Sequence, residues 1–294
     1  MLARSLSYAL VTALLITATA CGSSPSEQQA VDPDAEEWTS LFDGASLDGW
    51  TPKIRGFPPG ENAHNTFRVE DGMLTVRYDE YDPFDEDFGH LVSDTSFSYY
   101  VVGVEYRFVG DQVPGGPGWA IQNSGIMVHS QSAQTMTRDQ DFPVSIEVQL
   151  LGAAGQEERT TANLCTPGTN VVMDGELVTT HCINSASETY PLNEWVRAEA
   201  RVLGDSLVQH IVNGDVVMEY AKPQIGGGNV AEADPSVKQD GTMLTEGHIA
   251  LQSESHPIQF RTVEVLNLEG CTDPDALNYK SYYVKANDAA CQYN

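Results

Sequence analysis

The sequence predicts an all-β protein: a jelly-roll β-sandwich of two antiparallel sheets with few or no helices. Three observations carry that prediction. Two-residue hairpin signals recur, at Asp71-Gly72 in VEDGMLTV, Asp174-Gly175 in VVMDGELV and Asn213-Gly214 in QHIVNGDVVMEY, and such dipeptides accept the backbone of tight hairpin turns. Apolar and polar residues alternate with period two between turns, as strands buried on one face require. No apolar period of 3.6 residues runs beyond two helical turns, while 25 glycines and 15 prolines punctuate the 294 residues, which excludes alternating βα units.

Taken from the start, residues 1–21 carry a basic residue (Arg4), an apolar stretch from Ala9 to Ile16 and the small residues Thr17-Ala18-Thr19-Ala20 before Cys21. That order is a secretory signal peptide, too short for a permanent membrane helix. Its end resembles a bacterial lipoprotein lipobox with acylated Cys21, although Ala18 stands where such motifs more often carry Leu. The expectation is an exported lipoprotein on the periplasmic or cell-surface face. Gly22 rather than Asp after Cys21 favours the outer membrane. No later apolar run reaches the roughly 18 residues of a membrane span. Residues 22–37 lack periodicity and read as a flexible tether.

The strands of the 38–269 domain sort their side chains by face. In YVVGVEYRF, Val102, Val104, Tyr106 and Phe108 point one way, Glu105 and Arg107 the other. Ile146, Val148 and Leu150 oppose Ser145, Glu147 and Gln149; Val196, Ala198, Ala200 and Val202 oppose Arg197, Glu199 and Arg201. His210 shares a mixed stripe with Val208 and Val212, while His248, Gln252 and Glu254 oppose Ile249 and Leu251. The polar face is either a groove for a polyhydroxylated ligand or a solvated surface of weak ion pairs. Trp119, in the irregular loop PGGPGWA, either stacks on a pyranose ring or plugs the sandwich. In NSGIMVHS, Asn123 and Ser124 can orient a ligand, Gly125 marks close backbone approach and His129 ends the segment. The acidic run 79–87 lacks EF-hand spacing and reads as a solvated loop.

Setting Cys21 aside leaves Cys165, Cys182, Cys271 and Cys291 in an oxidising compartment. Of three connectivities the simplest joins Cys165 to Cys182 and Cys271 to Cys291. Each would close a short loop worth about 3 kcal/mol in the chain-entropy model. No pair has the close spacing of a zinc site. Residues 270–294 change character, and are similar to short C-T-D-P segments of secreted bacterial proteins. They read as a disulfide-clipped appendage without chemistry.

The net charge of −27 argues against nucleic acid as a partner and equally against basic-patch attachment to anionic lipid. Motifs exclude more. There is no G-x-S-x-G elbow, H-E-x-x-H, P-loop or dinucleotide fingerprint. The run Glu147-Val148-Gln149 offers one acid and one amide where a retaining glycosidase needs two nearby carboxylates, which disfavours standard glycosidase chemistry.

Eight blocks then occur in register: LFDGASLDGW (41–50), VEDGMLTV (69–76), NSGIMVHS (123–130), SIEVQLLG (145–152), NEWVRAEARV (193–202), HIVNG (210–214), GHIALQSES (247–255) and IQFRTVEV (258–265). Together they resemble the 3-keto-disaccharide hydrolase domain family over roughly 38–268, and the insert 163–190 resembles one of its subgroups. The resemblance implies a concanavalin A-like jelly roll and a hydrolase acting on sugars already oxidised at C3 by a partner sugar 3-dehydrogenase. It implies one general base, a donor or divalent metal ion on the C3 oxygen, and an acid for the leaving group. On these blocks Glu147 or a nearby His is the base. His129, His181 and His210 are candidates for enolate polarisation, proton donation or metal ligation; Asn123, Gln149, Arg107, Trp119 and Gln252 are candidates for gripping the sugar. The alternatives are a lectin-like module that binds carbohydrate without turnover, and a structural or adhesive surface lipoprotein.

Overall fold

The computed structural model describes residue 32 and residues 34–155 and 158–294. The signal peptide, Cys21 and most of the tether lie outside these residues. In chain order the strands are β1 (Trp38–Ser40), β2 (Trp50–Ile54), β3 (Phe67–Glu70), β4 (Met73–Val76), β5 (Gly89–Phe97), β6 (Tyr99–Phe108), β7 (Asn123–Ser130), β8 (Ile146–Leu151) and β9 (Asn163–Cys165). They continue with β10 (Thr169–Met173), β11 (Glu176–Val178), β12 (Cys182–Ile183), β13 (Val196–Leu203), β14 (Leu207–Val212), β15 (Asp215–Ile225), β16 (Gly247–Ser253), β17 (Ile258–Asn267), β18 (Glu269–Gly270) and β19 (Lys285–Ala286). The helical elements among the described residues are three-residue 3₁₀ turns.

All three hairpin dipeptides close two-residue turns. Glu70 faces Met73, Met173 faces Glu176 and Val212 faces Asp215 across them. Both central residues have positive φ in each case: Asp71 and Gly72 at 51° and 76°, Asp174 and Gly175 at 51° and 84°, Asn213 and Gly214 at 49° and 94°. Asn, Asp and Gly tolerate that backbone where β-branched residues do not.

Two antiparallel sheets follow. The ten-stranded sheet runs β11-β10-β15-β14-β13-β6-β17-β4-β3, with β1 also paired to β17; the seven-stranded sheet runs β12-β9-β8-β7-β16-β5-β2. The core lies between them. Ile126, Val128, Ile146, Val148, Leu150, Ile249 and Leu251 of the smaller sheet pack in one buried cluster with Val102, Val104, Tyr106, Ala198, Ala200, Val202 and Phe260 of the larger. Each fully buried aliphatic side chain there is worth about 1.5–3 kcal/mol. A further pair, β18 with β19, is parallel, which the two-sheet expectation did not include.

The two outer faces differ. On the ten-stranded sheet, Arg197 pairs with Glu199 and Glu264 at 2.8 and 2.7 Å, Arg261 pairs with Glu105 at 2.7 Å, and Arg107 and Arg261 each lie 4.6 Å from the Trp195 ring. This is the ion-paired surface. The acidic run 79–87 wraps a file of buried rings, Tyr78, Tyr81, Phe84 and Phe88, with neighbouring centroids 5.2, 5.8 and 5.5 Å apart. Asp79 and Glu86 turn outward to Arg68 and Arg55. The outer face of the seven-stranded sheet carries the cleft.

Candidate active site

Register brings the polar residues of the seven-stranded sheet into rows on that outer face. Glu147 of β8 sits opposite Met127 of β7 and Cys165 of β9, with Cys182 of β12 beyond. Gln149 sits opposite Gly125 and Asn163, while Gln252 of β16 pairs with His90 of β5, itself paired with Lys53 of β2. Alternation does the sorting. The same strands send Ile146, Val148, Leu150 and Leu251 into the core, so their other face must carry whatever polar chemistry they hold.

Gly125 is the floor. A Cβ there would lie 2.8 Å from Glu147 Cγ, 2.9 Å from Glu147 Oε1 and 3.2 Å from Gln252 Oε1. The missing side chain lets a carboxyl and an amide converge over one point of backbone. Around it opens a cleft of about 650 Å³ lined by Trp119, Asn123, Phe142, Glu147, Gln149, His181, Glu254 and the 229–231 loop. Phe142 stacks on Phe88 at 5.1 Å and Trp119 lies 5.7 Å from Phe88, giving an aromatic wall whose Trp119 is 55% exposed. Asp141 accepts hydrogen bonds from the Phe142 and Ala231 amides at 2.8 Å each, tying that wall to the facing loop. The Cys165–Cys182 disulfide forms the opposite edge and carries His181, whose carbonyl accepts from Thr166 N at 2.9 Å. Cys271 and Cys291 form the other disulfide, so both bonds follow the simplest connectivity.

Buried polar atoms are ordinarily paired, yet here they concentrate without partners inside the protein. Glu147 Oε1, Glu254 Oε2, Asn123 Oδ1, both amide atoms of Gln252 and His181 Nδ1 make no hydrogen bond. Burial raises the Glu147 carboxyl to about 8. Burial, then Glu147 itself, raise Glu254 well above the carboxylate range, with Arg159 opposing. The Arg159 guanidinium is held by the carbonyls of Ile121 and Gly152 at 2.6 and 2.9 Å, and reaches the Trp119 carbonyl at 3.3 Å. Burial lowers His181, favouring neutral imidazole.

Glu254 is the residue that alternation exposed without assigning. It stands two positions after Gln252 on the same face of GHIALQSES, and tertiary structure brings it into the cleft that Glu147 lines, close enough for the two carboxyls to act on each other electrostatically. The second carboxylate absent from the 147–149 run therefore comes from the end of another strand. Among the proposed catalytic residues, Glu147 and His181 line the cleft, as do Trp119, Asn123 and Gln149 among the proposed sugar-binding ones. Trp119 does not plug the sandwich. Gln252 is fully buried next to Gly125, and its side chain does not line the cleft.

Three candidates are placed elsewhere. His210 is a core histidine: Nδ1 contacts the Ala162 carbonyl at 2.9 Å and Nε2 the Tyr220 hydroxyl at 2.8 Å. Its face-mates Val208 and Val212 already pointed inward. His129, at φ 50°, turns its Nε2 to the Gly204 carbonyl at 3.1 Å, in the turn between β13 and β14. Burial pushes both imidazoles down to about 4. Arg107 lies on the ten-stranded sheet and donates to Gln259 Oε1 at 2.9 and 2.7 Å.

For a divalent ion, the group of metal-ligating side chains that comes together among the described residues is Cys165, His181 and Cys182, within 4.8 Å of one another. Two of its three donors are spent in the disulfide, so the set does not fit a metal ion.

Comparison with known proteins adds the family. Solved structures that resemble the chain include a Parabacteroides distasonis protein provisionally named a glycosyl hydrolase, at 17% identity over 79% of this chain and 94% of that one, TM-score 0.49. A Bacillus subtilis protein of unknown function with a galectin-like fold matches at 13% identity over 79% and 94%, TM-score 0.49. A Bacillus licheniformis β-glucanase matches at 11% identity over 79% and 98%, TM-score 0.45. No curated protein matches the chain. The family model described as the 3-keto-alpha-glucoside-1,2-lyase-like domain matches residues 37–266, which span β1 and nearly all of β17 and contain every cleft residue named above. The chain belongs to that family.

Proposed function

We propose that this protein is a carbohydrate-active hydrolase that cleaves the glycosidic bond of 3-keto-disaccharides or 3-keto-glycosides by elimination and hydration. The observation that carries the reading is that Glu147 and Glu254 are both buried in one cleft, where burial raises both carboxyls so that the pair holds on to a proton at neutral pH. One carboxyl can then act as base while the other acts as acid.

The steps balance. A ketone at C3 acidifies the C2 proton. Ionised Glu147 removes it, and the C–H electron pair forms the enolate across C2 and C3. Collapse of the enolate restores the ketone, makes the C1–C2 double bond and breaks the C1–O bond. The leaving oxygen takes its proton from Glu254. Water then adds across the double bond: Glu254 removes a proton as the water oxygen joins C1, and Glu147 returns its proton to C2. One water is consumed and both carboxyls regain their starting state. The Gln149 amide, which lines the cleft and whose oxygen accepts from Asn163 Nδ2 at 3.2 Å, donates through its nitrogen to the enolate oxygen. Asn123 and His181 bind hydroxyls, and the Trp119–Phe142 wall takes a ring face.

Glu254 also favours a second reading, ordinary glycosidase chemistry. A retaining enzyme needs one carboxylate held ionised as the nucleophile. A general base works best with a value near the operating pH, as Glu147 has at about 8, whereas burial raises both carboxyls away from the ionised state a nucleophile must keep, so elimination fits the pair better. The two disulfides support export to an oxidising compartment, where we place the protein as a lipoprotein anchored through Cys21 in the outer membrane. A sugar 3-dehydrogenase must supply the substrate.

The test follows release of free monosaccharides from trehalose oxidised at C3 and from trehalose itself, with and without a chelator. Release from the keto sugar alone is expected, and Glu147→Gln should lower it by about a hundredfold or more. Chelator sensitivity would add a divalent ion to the mechanism. Release from trehalose would establish the glycosidase reading instead. Saturable binding without release from either sugar would identify a lectin-like module.

A further inference from the structure

Glu254 leaves β16 into a backbone that would not hold by itself. The next residue, Ser255, has φ 96°, a region that non-glycine residues enter only when surrounding contacts impose it. Three hydrogen bonds do so. Ser255 N donates to the Tyr78 hydroxyl at 2.8 Å, Val113 N donates to the Ser255 carbonyl at 3.0 Å, and Gln112 Nε2 donates to Ser255 Oγ at 2.8 Å. The same Gln112 nitrogen donates to the Pro117 carbonyl at 2.9 Å. Pro117 directly precedes the Gly118–Ala120 turn that presents Trp119 to the cleft. The join is tight: a Cβ on Gly116 would fall 2.6 Å from Ser255 Oγ and 2.7 Å from Gln112 Nε2.

We propose that Gln112 is a positioning residue, a strap whose amide nitrogen ties the Trp119 turn to Ser255 and so aims the Glu254 carboxyl at the sugar stacked on Trp119. It touches no substrate, and the assignment rests on the acid–base role of Glu254 proposed above. Its two amide hydrogens are matched by two acceptors, one on each side of the join. Arg159 makes a second link, because the guanidinium that reaches the Trp119 carbonyl also acts electrostatically on Glu254. Trp119 and Glu254 are thus connected from two directions, and neither can shift without disturbing the other's support. A displacement of about 1 Å in an acid–base group is enough to cost up to about a hundredfold in rate.

The experiment compares wild type, Gln112→Met, Ser255→Gly, Trp119→Ala and the double variant Gln112→Met/Trp119→Ala, each as the full chain, on trehalose oxidised at C3. Gln112→Met keeps the length of the side chain and removes both donors. Ser255→Gly removes the accepting hydroxyl while suiting the backbone, since glycine adopts φ 96° without strain. The expected result is a kcat about tenfold lower for both single variants with KM within about twofold, and a melting temperature for Ser255→Gly no lower than wild type. Loss of rate without loss of stability is what a merely structural role cannot produce. The double variant should lose less than the product of the single losses, because the strap has nothing to transmit once Trp119 is gone. Unchanged kcat in Ser255→Gly, or losses in the double variant that simply multiply, would overturn the assignment while leaving the proposed reaction intact. Wild type inert toward the keto sugar would overturn the proposed reaction, and this assignment with it.

Discussion

Glu147 shows how one buried carboxyl sets both chemistry and cost. Its Oε1 has no partner in the protein and the residue is 5% exposed, so ionising it is penalised. A folded-state value of about 8 against an ordinary 4.5 means that its stability contribution is intact below 4.5 and is lost as pH rises through 8. The buried histidines work the other way. His129, His210 and His256 lie at about 4 and His90 at about 3, so their contribution is present above 6.5 and is lost on acidification. Between pH 6.5 and 8 the carboxyl slope therefore dominates. Urea denaturation should show stability falling across that window, and Glu147→Gln should lessen the fall, with Glu254 supplying the remainder, and gain about 1–3 kcal/mol at pH 8. A slope the same as wild type's would show that Glu147 is ionised and solvated in the folded protein. Gly125 is the complementary case. Alanine there meets Glu147 Cγ at 2.8 Å, so Gly125→Ala should lower kcat by about tenfold or more with the fold retained by circular dichroism.

At the scale of elements, period-two alternation is the most legible feature of this chain. It separates Ile146, Val148 and Leu150 from Glu147 and Gln149, and the sheets obey it. It does not say which sheet a strand joins. The polar faces of β6 and β13 became an ion-paired surface and those of β7, β8 and β16 became a cleft, because face polarity is local and partner choice is not. His210 shows the same limit: its stripe-mates Val208 and Val212 marked it as inward, and only the Ala162 carbonyl and Tyr220 hydroxyl explain how a polar ring is satisfied there. The short β12 depends on its covalent tie. It meets β9 through Cys182 opposite Cys165 and Ile183 opposite Leu164. Replacing both cysteines by alanine should cost about 3 kcal/mol, or roughly 5–10 °C of melting temperature. It should also raise KM for the keto sugar as His181 leaves the wall; an unchanged KM would remove His181 from the sugar contacts.

For the molecule as a whole, the C-terminal segment is a brace as well as a clip. Lys285 and Ala286 run parallel to Glu269 and Gly270, the Cys271–Cys291 bond closes the segment, and Tyr282 packs against Val101, Leu266 and Leu268 on the outer side of the ten-stranded sheet. Lys280 pairs with Glu37 at 2.6 Å and Ser281 N donates to Asp34 at 2.6 Å, so the two ends of the described chain are joined. The cleft residues lie on the other sheet. Removing 271–294 should therefore lower the melting temperature by several degrees, from the apolar surface uncovered at Leu266 and Leu268, and leave kcat and KM for the keto sugar within about twofold. A collapse of kcat at unchanged secondary structure would show that the brace acts across the sandwich.

Whatever depends on neighbours along the chain is legible in the amino-acid order: the three hairpin turns, the inward and outward face of each strand, and the all-β class. These are consequences of dihedral preference and side-chain period, readable over a few residues. Which outward faces meet is settled by packing alone. The Glu147–Glu254 pair joins residues more than one hundred positions apart, at the middle of one strand and just past the end of another, and the raised carboxyls exist only because the fold buries them together. Burial and proximity are properties of the packed sheet order, and no local pattern encodes them.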